Sequence, residues 1–191
     1  MKIEEIYQIT KENLKGKIIC FPTDTVYGIG CMLEDEDALN KIYKLKHRNP
    51  SKPLAILVGN NQDINPYVKE VPTLAKKLIN DFWPGALTII FNKKEGILDG
   101  VVRGKNTIGF RMPNSIIALK ILQHFGPMAT TSVNISNEEP LNDLNEIKNL
   151  FGDLIDIYIT DKEVVSKVSS TVIDITSDPY KILRQGDIII K

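Results

Sequence analysis

The feature that most constrains the fold is an alternation of short apolar runs with amphipathic helical patterns, which gives way to apolar runs alone in roughly the last forty residues. Runs typical of strands cover residues 17–21, 53–58, 87–91, 107–111, 127–132, 154–159, 171–175, 181–184 and 188–190. Helical patterns cover residues 35–46, 72–82, 115–125 and 141–151. This order predicts an α/β (α+β-like) fold with a twisted mixed sheet flanked by helices.

Length and composition bound the number of domains and the class of protein. The chain has 191 residues and no linker-like tract, so we predict a single domain over residues 1–191 with its core at about 10–188. Lys plus Arg and Asp plus Glu number 24 each, which excludes a globally basic nucleic-acid binder and makes any attraction for phosphate local. The only two Cys form no C-x-x-C pair and the chain has just two His, so the sequence argues against a structural zinc site. Without an apolar signal core or a long apolar run, we expect a cytoplasmic protein with no membrane partner.

Two neighbouring stretches suggest a site that handles phosphate. Residues 21–30 read Phe-Pro-Thr-Asp-Thr-Val-Tyr-Gly-Ile-Gly, a strand that breaks into a turn rich in hydroxyls and glycine. Residues 46–54 follow a predicted helix and place the cations Lys46, Arg48 and Lys52 among prolines. Hydroxyls and loop amides beside clustered cations suit a polyanion. Two structural interpretations stay open, namely hydroxyls that satisfy their own turn and cations that complement a helix dipole.

Other predicted strands also end in an arginine or in small hydroxyl side chains. Arg111 ends the run 107–111, Arg184 ends the run 181–184, and residues 130–134 and 169–171 are rich in Thr and Ser. Open sheets usually bind ligands where strands end, although a surface ion pair or a plain polar loop would explain each group alone. The sequence has no dinucleotide fingerprint or P-loop and makes a Ser-His-Asp hydrolase improbable. We therefore expect electrostatic positioning of an anionic substrate rather than covalent catalysis.

Residues 92–106 form the segment with the most flexible composition. They contain three glycines and four cations. Such a composition is typical of an exposed connection, and we expect either a mobile lid over a site or a surface hairpin.

Seven segments of the chain are specific when taken together. They are Pro22-Thr-Asp-Thr-Val-Tyr-Gly28, Lys46-x-Arg48 with Pro53-Leu54, Pro84-Gly85-x-Leu87-Thr88, Thr107-x-x-x-Arg111-x-Pro113, Ser132-x-Asn134-x-Ser136, Ser170-Thr171-Val-Ile-Asp174 and Leu183-Arg184-x-Gly186. In these segments, and in their order, the chain resembles the YrdC/TsaC family, the threonylcarbamoyl-adenylate synthases of transfer-RNA modification.

The resemblance implies a YrdC-like domain around a basic cavity and a nucleotidyltransferase reaction. L-threonine, bicarbonate and ATP would give threonylcarbamoyl-AMP and pyrophosphate, and downstream transferase proteins would carry the group to the tRNA adenosine beside the anticodon. The residues that would bind L-threonine are Thr25, Tyr27, Arg111 and Ser170. Lys46 and Arg48 would act catalytically by neutralising the triphosphate. The residues that would bind ATP are Lys46, Arg48, Lys52, Thr107, Thr130, Ser132, Asn134 and Arg184. Mg²⁺ would arrive with ATP rather than in a metal site of the protein.

Three positions depart from the family pattern. Many relatives have Glu at the position of Asp24, and many have no residue corresponding to Asn49 between the arginine and the proline. Some place His, as a further threonine contact, at the position of Leu57. The chain resembles the short branch, without a C-terminal extra domain. Two alternatives stay open, a non-catalytic RNA-binding module and the carbamoyl-adenylate chemistry of hydrogenase maturation. Weak binding of tRNA is compatible with each interpretation.

Overall fold

A computed structural model describes residues 1–163 and 165–190, in which nine strands form one mixed sheet. The strands are β1 (Ile19–Phe21), β2 (Gly28–Met32), β3 (Ala55–Leu57), β4 (Leu87–Asn92), β5 (Thr107–Arg111), β6 (Met128–Ser132), β7 (Ile157–Tyr158), β8 (Thr171–Asp174) and β9 (Lys181–Arg184). Their order across the sheet is β7-β1-β2-β6-β3-β5-β4-β8-β9. The pairs β1–β7, β3–β5 and β4–β8 are parallel and the others are antiparallel, which confirms the mixed α/β fold.

The four predicted helices are present with shorter ends. The α-helices are α1 (Lys11–Leu14), α2 (Glu36–Leu45), α3 (Thr73–Phe82), α4 (Asp99–Val102), α5 (Ile116–Phe125) and α6 (Leu144–Phe151). Asp35, Ser115 and Asp143 accept hydrogen bonds from backbone amides in the first turns of α2, α5 and α6, so they cap these helices rather than belonging to them. None of the helices in the described residues is long and apolar enough to cross a membrane. The short α1 and α4 were not predicted.

Three strand predictions differ from the structure. No strand is present at residues 188–190, where the carbonyl of Ile188 accepts a hydrogen bond from the Thr171 hydroxyl at 2.8 Å instead of joining a ladder. Of residues 154–159 only Ile157–Tyr158 is a strand. Leu154 is instead the last residue of a 3-10 turn, Gly152–Leu154. The glycine-rich end of residues 21–30 is not a turn but the start of β2, which pairs antiparallel with β1.

Helices cover both faces of the sheet. Side chains of β1 alternate, so that Cys20 joins a core cluster with helices α2, α3 and α6, whereas Ile19 and Phe21 join a cluster with α5 and the N-terminal 3-10 segment Ile3–Gln8. The fold class predicted from the alternation of patterns is therefore correct, including the flanking helices.

The segment 92–106 connects the antiparallel strands β4 and β5, as a hairpin would. Part of the segment is packed against the rest of the protein. Val101 and Val102 in α4 are fully buried, and the amide of Leu54 donates to the Val101 carbonyl at 3.1 Å. Lys93 is also buried, and its ammonium donates to the carboxylate of Asp99 at 2.9 Å. The segment thus forms a wall against the loop that follows α2.

Candidate active site

A cavity of about 330 Å³ lies against the central strands of the sheet. The turn between β1 and β2, the loop after α2 and the segment before β8 close its sides. Among the described residues, the charged side chains that line it are Arg48, Arg111 and Arg184, and no carboxylate does. A cavity of this size with three fixed cations is suited to a small anionic molecule.

Arg111, at the end of β5, is 6% exposed and is held by three groups. Its Nε donates to the Gly85 carbonyl at 3.0 Å, its Nη1 donates to the Thr25 hydroxyl at 2.7 Å, and its Nη2 pairs with the Asp24 carboxylate. Burial lowers the pKa of Arg111, and Asp24 opposes that shift. A guanidinium has five N–H groups, so two remain without an acceptor among the described residues.

The turn between β1 and β2 is shaped by its own threonines. The hydroxyl of Thr23 donates to the Val26 carbonyl at 2.7 Å and accepts from the Thr25 amide at 3.2 Å. The backbone carbonyl of Asp24 accepts from the Ser166 amide at 3.0 Å, which ties the turn to the segment before β8. Thr23 therefore has the structural role that the alternative interpretation gave to turn hydroxyls. Both Thr23 and Thr25 line the cavity, and Thr25 also accepts a hydrogen bond from Arg111.

Ser170 is the centre of a second cluster on the cavity wall. The Ser170 hydroxyl lies 2.8 Å from the Thr88 hydroxyl. Arg184 donates to the Ser170 hydroxyl through Nη2 at 3.0 Å and to the Ser170 carbonyl through Nε at 2.8 Å. Burial lowers the pKa of Arg184. The backbone at Gly186 comes so close that an added Cβ would overlap the Ser169 carbonyl, which explains glycine at this position.

The loop after α2 presents Arg48 to the cavity. Arg48 Nη2 donates to the Pro53 carbonyl at 2.8 Å, and Nε lies 3.4 Å from the Lys52 carbonyl. The hydroxyl of Tyr43 donates to the same Lys52 carbonyl at 2.6 Å. These bonds fix the loop by its backbone. Lys52 is exposed and is not among the lining residues, whereas Arg48 is.

Lys46 lies behind the cavity wall instead of in it. The side chain is only 1% exposed, and its Nζ donates to oxygens of Ser132 and Asn134. Burial, and after it the charge of Arg48, lowers the pKa of Lys46 to about 7. The oxygen acceptors act in the opposite direction, because they stabilise the ammonium form.

The structure brings most of the predicted site residues to one cavity. Those in its lining are Thr25, Tyr27, Arg48, Thr107, Arg111, Thr130, Ser132, Ser170 and Arg184. Lys46, Lys52 and Asn134 are not among the lining residues. The roles assigned to all twelve stay predictions, because their positions alone do not identify the molecule that they bind.

Comparison with known proteins identifies the family. The Sua5/YciO/YrdC model, which carries the description "Telomere recombination", matches residues 13–186. The chain belongs to the Sua5/YciO/YrdC family. A relative from Methanocaldococcus jannaschii is 39% identical over 183 residues, which cover 96% of this chain and 86% of the relative. The threonylcarbamoyl-AMP synthase of Pyrococcus abyssi is 36% identical over 173 residues, which cover 90% of this chain but only 51% of that protein.

The same family accounts for the fold. A crystal structure of P. abyssi Sua5 complexed with L-threonine superposes with a TM-score of 0.88 at 34% identity, over 96% of this chain and 54% of that one. This Sua5/YciO/YrdC chain thus spans about half the length of its P. abyssi relatives. The resemblance to the YrdC/TsaC family that the sequence suggested is confirmed.

Three features of this Sua5/YciO/YrdC site were not predicted. Asp24 was noted only as a departure from the family pattern, yet it pairs with Arg111. Thr88 shares a hydrogen bond with Ser170. Leu54 and Val102 give one side of the cavity an apolar surface. The pairs Asp24–Arg111 and Thr88–Ser170 join residues that are 87 and 82 positions apart, so no local signal in the sequence could have found them.

Proposed function

We propose that this chain is an L-threonylcarbamoyladenylate synthase, a nucleotidyltransferase. It would use L-threonine, bicarbonate and ATP to make threonylcarbamoyl-AMP and pyrophosphate. The proposal depends chiefly on one observation: three arginines line the same cavity. No carboxylate among the described residues lines it. The names of relatives and the threonine complex of P. abyssi Sua5 support the same substrate.

The reaction brings two anions together. The threonine nitrogen adds to bicarbonate with loss of water, which gives a carbamate on that nitrogen. A carbamate oxygen then attacks the α-phosphorus of ATP, and the bond from this phosphorus to the pyrophosphate oxygen breaks. Both partners are negative, so the protein contributes orientation and fixed positive charge rather than a nucleophile.

Arg111 is the residue we assign to the threonine carboxylate. Its two N–H groups without an acceptor among the described residues form a fork that matches a carboxylate. Thr25, Ser170 and Tyr27 add hydroxyl groups to the same cavity lining. Asp24 supports the arrangement from behind, because its ion pair holds the guanidinium plane.

The nucleotide would occupy the rest of the cavity. Arg48 and Arg184 supply positive charge for phosphate oxygens. The small side chains of Thr107, Thr130 and Ser132 let a ligand approach the backbone closely. Leu54 and Val102 offer an apolar surface for a base.

Mg²⁺ is expected to arrive with ATP. No group of three or more His, Cys, Asp or Glu side chains in the described residues could hold a metal ion, and the cavity lining has no carboxylate. Phosphate oxygens and water would therefore be the ligands of the ion. The product is an activated acyl-adenylate, which can pass its acyl group to an acceptor. We propose that downstream transferase proteins carry this group to tRNA. We expect the chain and these proteins to be cytoplasmic.

The test is release of pyrophosphate from ATP in the presence of bicarbonate and Mg²⁺. We expect release that requires L-threonine and that L-serine at equal concentration does not reproduce. Folded protein without threonine-dependent release would overturn the proposal. In that case titration with tRNA at several salt concentrations would test the RNA-binding alternative, since phosphate contacts make affinity fall steeply with salt. Pyrophosphate release from ATP that does not depend on threonine would favour the hydrogenase-maturation chemistry.

A further inference from the structure

Lys46 is a buried cation whose partners are unusual. No carboxylate forms an ion pair with it among residues 1–163 and 165–190. Its Nζ donates to the Ser132 carbonyl at 2.5 Å, to the Asn134 carbonyl at 2.9 Å and to the Asn134 side-chain oxygen at 2.6 Å. An ammonium has three N–H groups, so all of them are used within the protein.

The partners of Lys46 are Ser132, the last residue of β6, and Asn134, in the loop 133–138 that follows it. The Asn134 side-chain amide donates to the Glu138 carbonyl at 2.6 Å, and the Ser132 hydroxyl donates to the Asn134 side-chain oxygen at 2.7 Å. The backbone of Lys46 is bound as well, because its carbonyl accepts from the Ser136 amide at 2.8 Å. Lys46 therefore holds this loop from both its backbone and its side chain.

Ser132 connects this loop to the cavity. It is the last residue of β6, pairs with Gly28 of β2 and lines the cavity, whereas Lys46 does not. Arg48, only two residues after Lys46, does line the cavity, and its remaining N–H groups are available to a ligand. The two cations of the Lys46-x-Arg48 motif thus have different surroundings.

We infer that Lys46 is a positioning residue, which places Ser132 at the nucleotide side of the cavity, and that Arg48 is the cation of this motif that contacts the phosphates. The inference rests on the proposed function for the identity of the ligand. The hold of Lys46 on residues 132–138 is independent of any ligand. The two parts can therefore be tested separately.

The first test is amide hydrogen exchange of residues 132–138 in the ligand-free protein. Lys46→Met leaves the carbonyls of Ser132 and Asn134 without their donor, so we expect exchange in this loop to be faster by about tenfold or more. Arg48→Met is the matched control and should leave the loop unchanged. Unchanged exchange in folded Lys46→Met protein would overturn the inference. If that variant does not fold, Lys46→Gln takes its place. Because glutamine retains two N–H donors, we expect exchange in the loop to become faster, but by less than in Lys46→Met.

The second test is a double-mutant cycle on ATP binding. Ser132→Ala should weaken ATP binding by about tenfold in the wild-type background but by less than about twofold with Lys46→Met, because the serine is already displaced. With Arg48→Met, Ser132→Ala should retain its full effect. Equal effects of Ser132→Ala in the wild-type and Lys46→Met backgrounds, or no effect in the wild type, would overturn the positioning role. Absence of ATP binding by the wild type would instead refute the proposed function, and hydrogen exchange would still decide whether Lys46 holds the loop.

Discussion

The replacement Arg111→Lys tests the proposed threonine site most directly. Arg111 is nearly fully buried and bonds to Gly85, Thr25 and Asp24, which leaves two N–H groups for a ligand. Lysine retains the positive charge opposite Asp24, so the half-buried carboxylate keeps a partner. It loses the planar fork, because a compact ammonium cannot bond to the three protein groups and a carboxylate at once.

The expected magnitude follows from the bonds that are lost. A hydrogen bond between charged groups contributes about 1.5–3 kcal/mol, and about 1.4 kcal/mol corresponds to a tenfold change in affinity. Loss of one such bond to the threonine carboxylate should therefore raise the threonine KM about 10- to 100-fold. The ATP KM should change by less than about twofold, since Arg48 and Arg184 remain in the lining.

The assay is initial-rate pyrophosphate release, with threonine varied at saturating ATP and then ATP varied at saturating threonine. Arg103→Lys is the matched control, because Arg103 stacks on the Tyr43 ring at 4.0 Å and does not line the cavity. It should leave both KM values unchanged. A threonine KM within about twofold of the wild-type value in Arg111→Lys would refute the reasoning, and so would equal increases in both KM values.

Three further predictions concern other parts of the site. Arg48→Gln should weaken ATP binding about tenfold or more and leave AMP binding less affected, as measured by calorimetry; equal losses for both would contradict a contact with the outer phosphates. Gly186→Ala should lower the unfolding free energy by about 1–3 kcal/mol in urea denaturation, since the new Cβ would overlap the Ser169 carbonyl, and an unchanged midpoint would show that the backbone yields easily. The folded-state pKa of Lys46, about 7, lies below the ordinary 10.5. Between these two pH values the unfolded chain therefore binds more protons than the folded protein. The unfolding free energy should for this reason rise as the pH increases from 7 to 9. Lys46→Met should lack that rise, and identical pH slopes in both proteins would contradict it.

Much of the architecture follows from local patterns. The strands Thr107–Arg111 and Lys181–Arg184 have the predicted bounds, and the predicted helix 35–46 differs only by its capping residues. Failures occur where a distant contact outweighs local preference. Residues 188–190 are as apolar as many strands, but the Thr171 side chain binds the Ile188 carbonyl and no ladder forms there.

The sequence by itself determined which groups are available to the site. Arg111 and Arg184 end β5 and β9, Thr25 lies in the turn after β1 and Ser170 directly precedes β8; all four line the cavity. This worked because a strand ends where its apolar pattern ends, so a polar residue at that position is predictable from local sequence.

Only the tertiary structure decided which groups face the ligand and which support them. Lys46 and Arg48 are both cations two residues apart, yet one is buried against the end of β6, 86 residues later, and the other lines the cavity. Asp24 likewise finds its partner Arg111 at a separation of 87 residues. Such choices depend on which backbone oxygens the fold brings within hydrogen-bonding distance of each cation. Short-range preferences contain no information about that distance, which is set by the order of strands in the sheet.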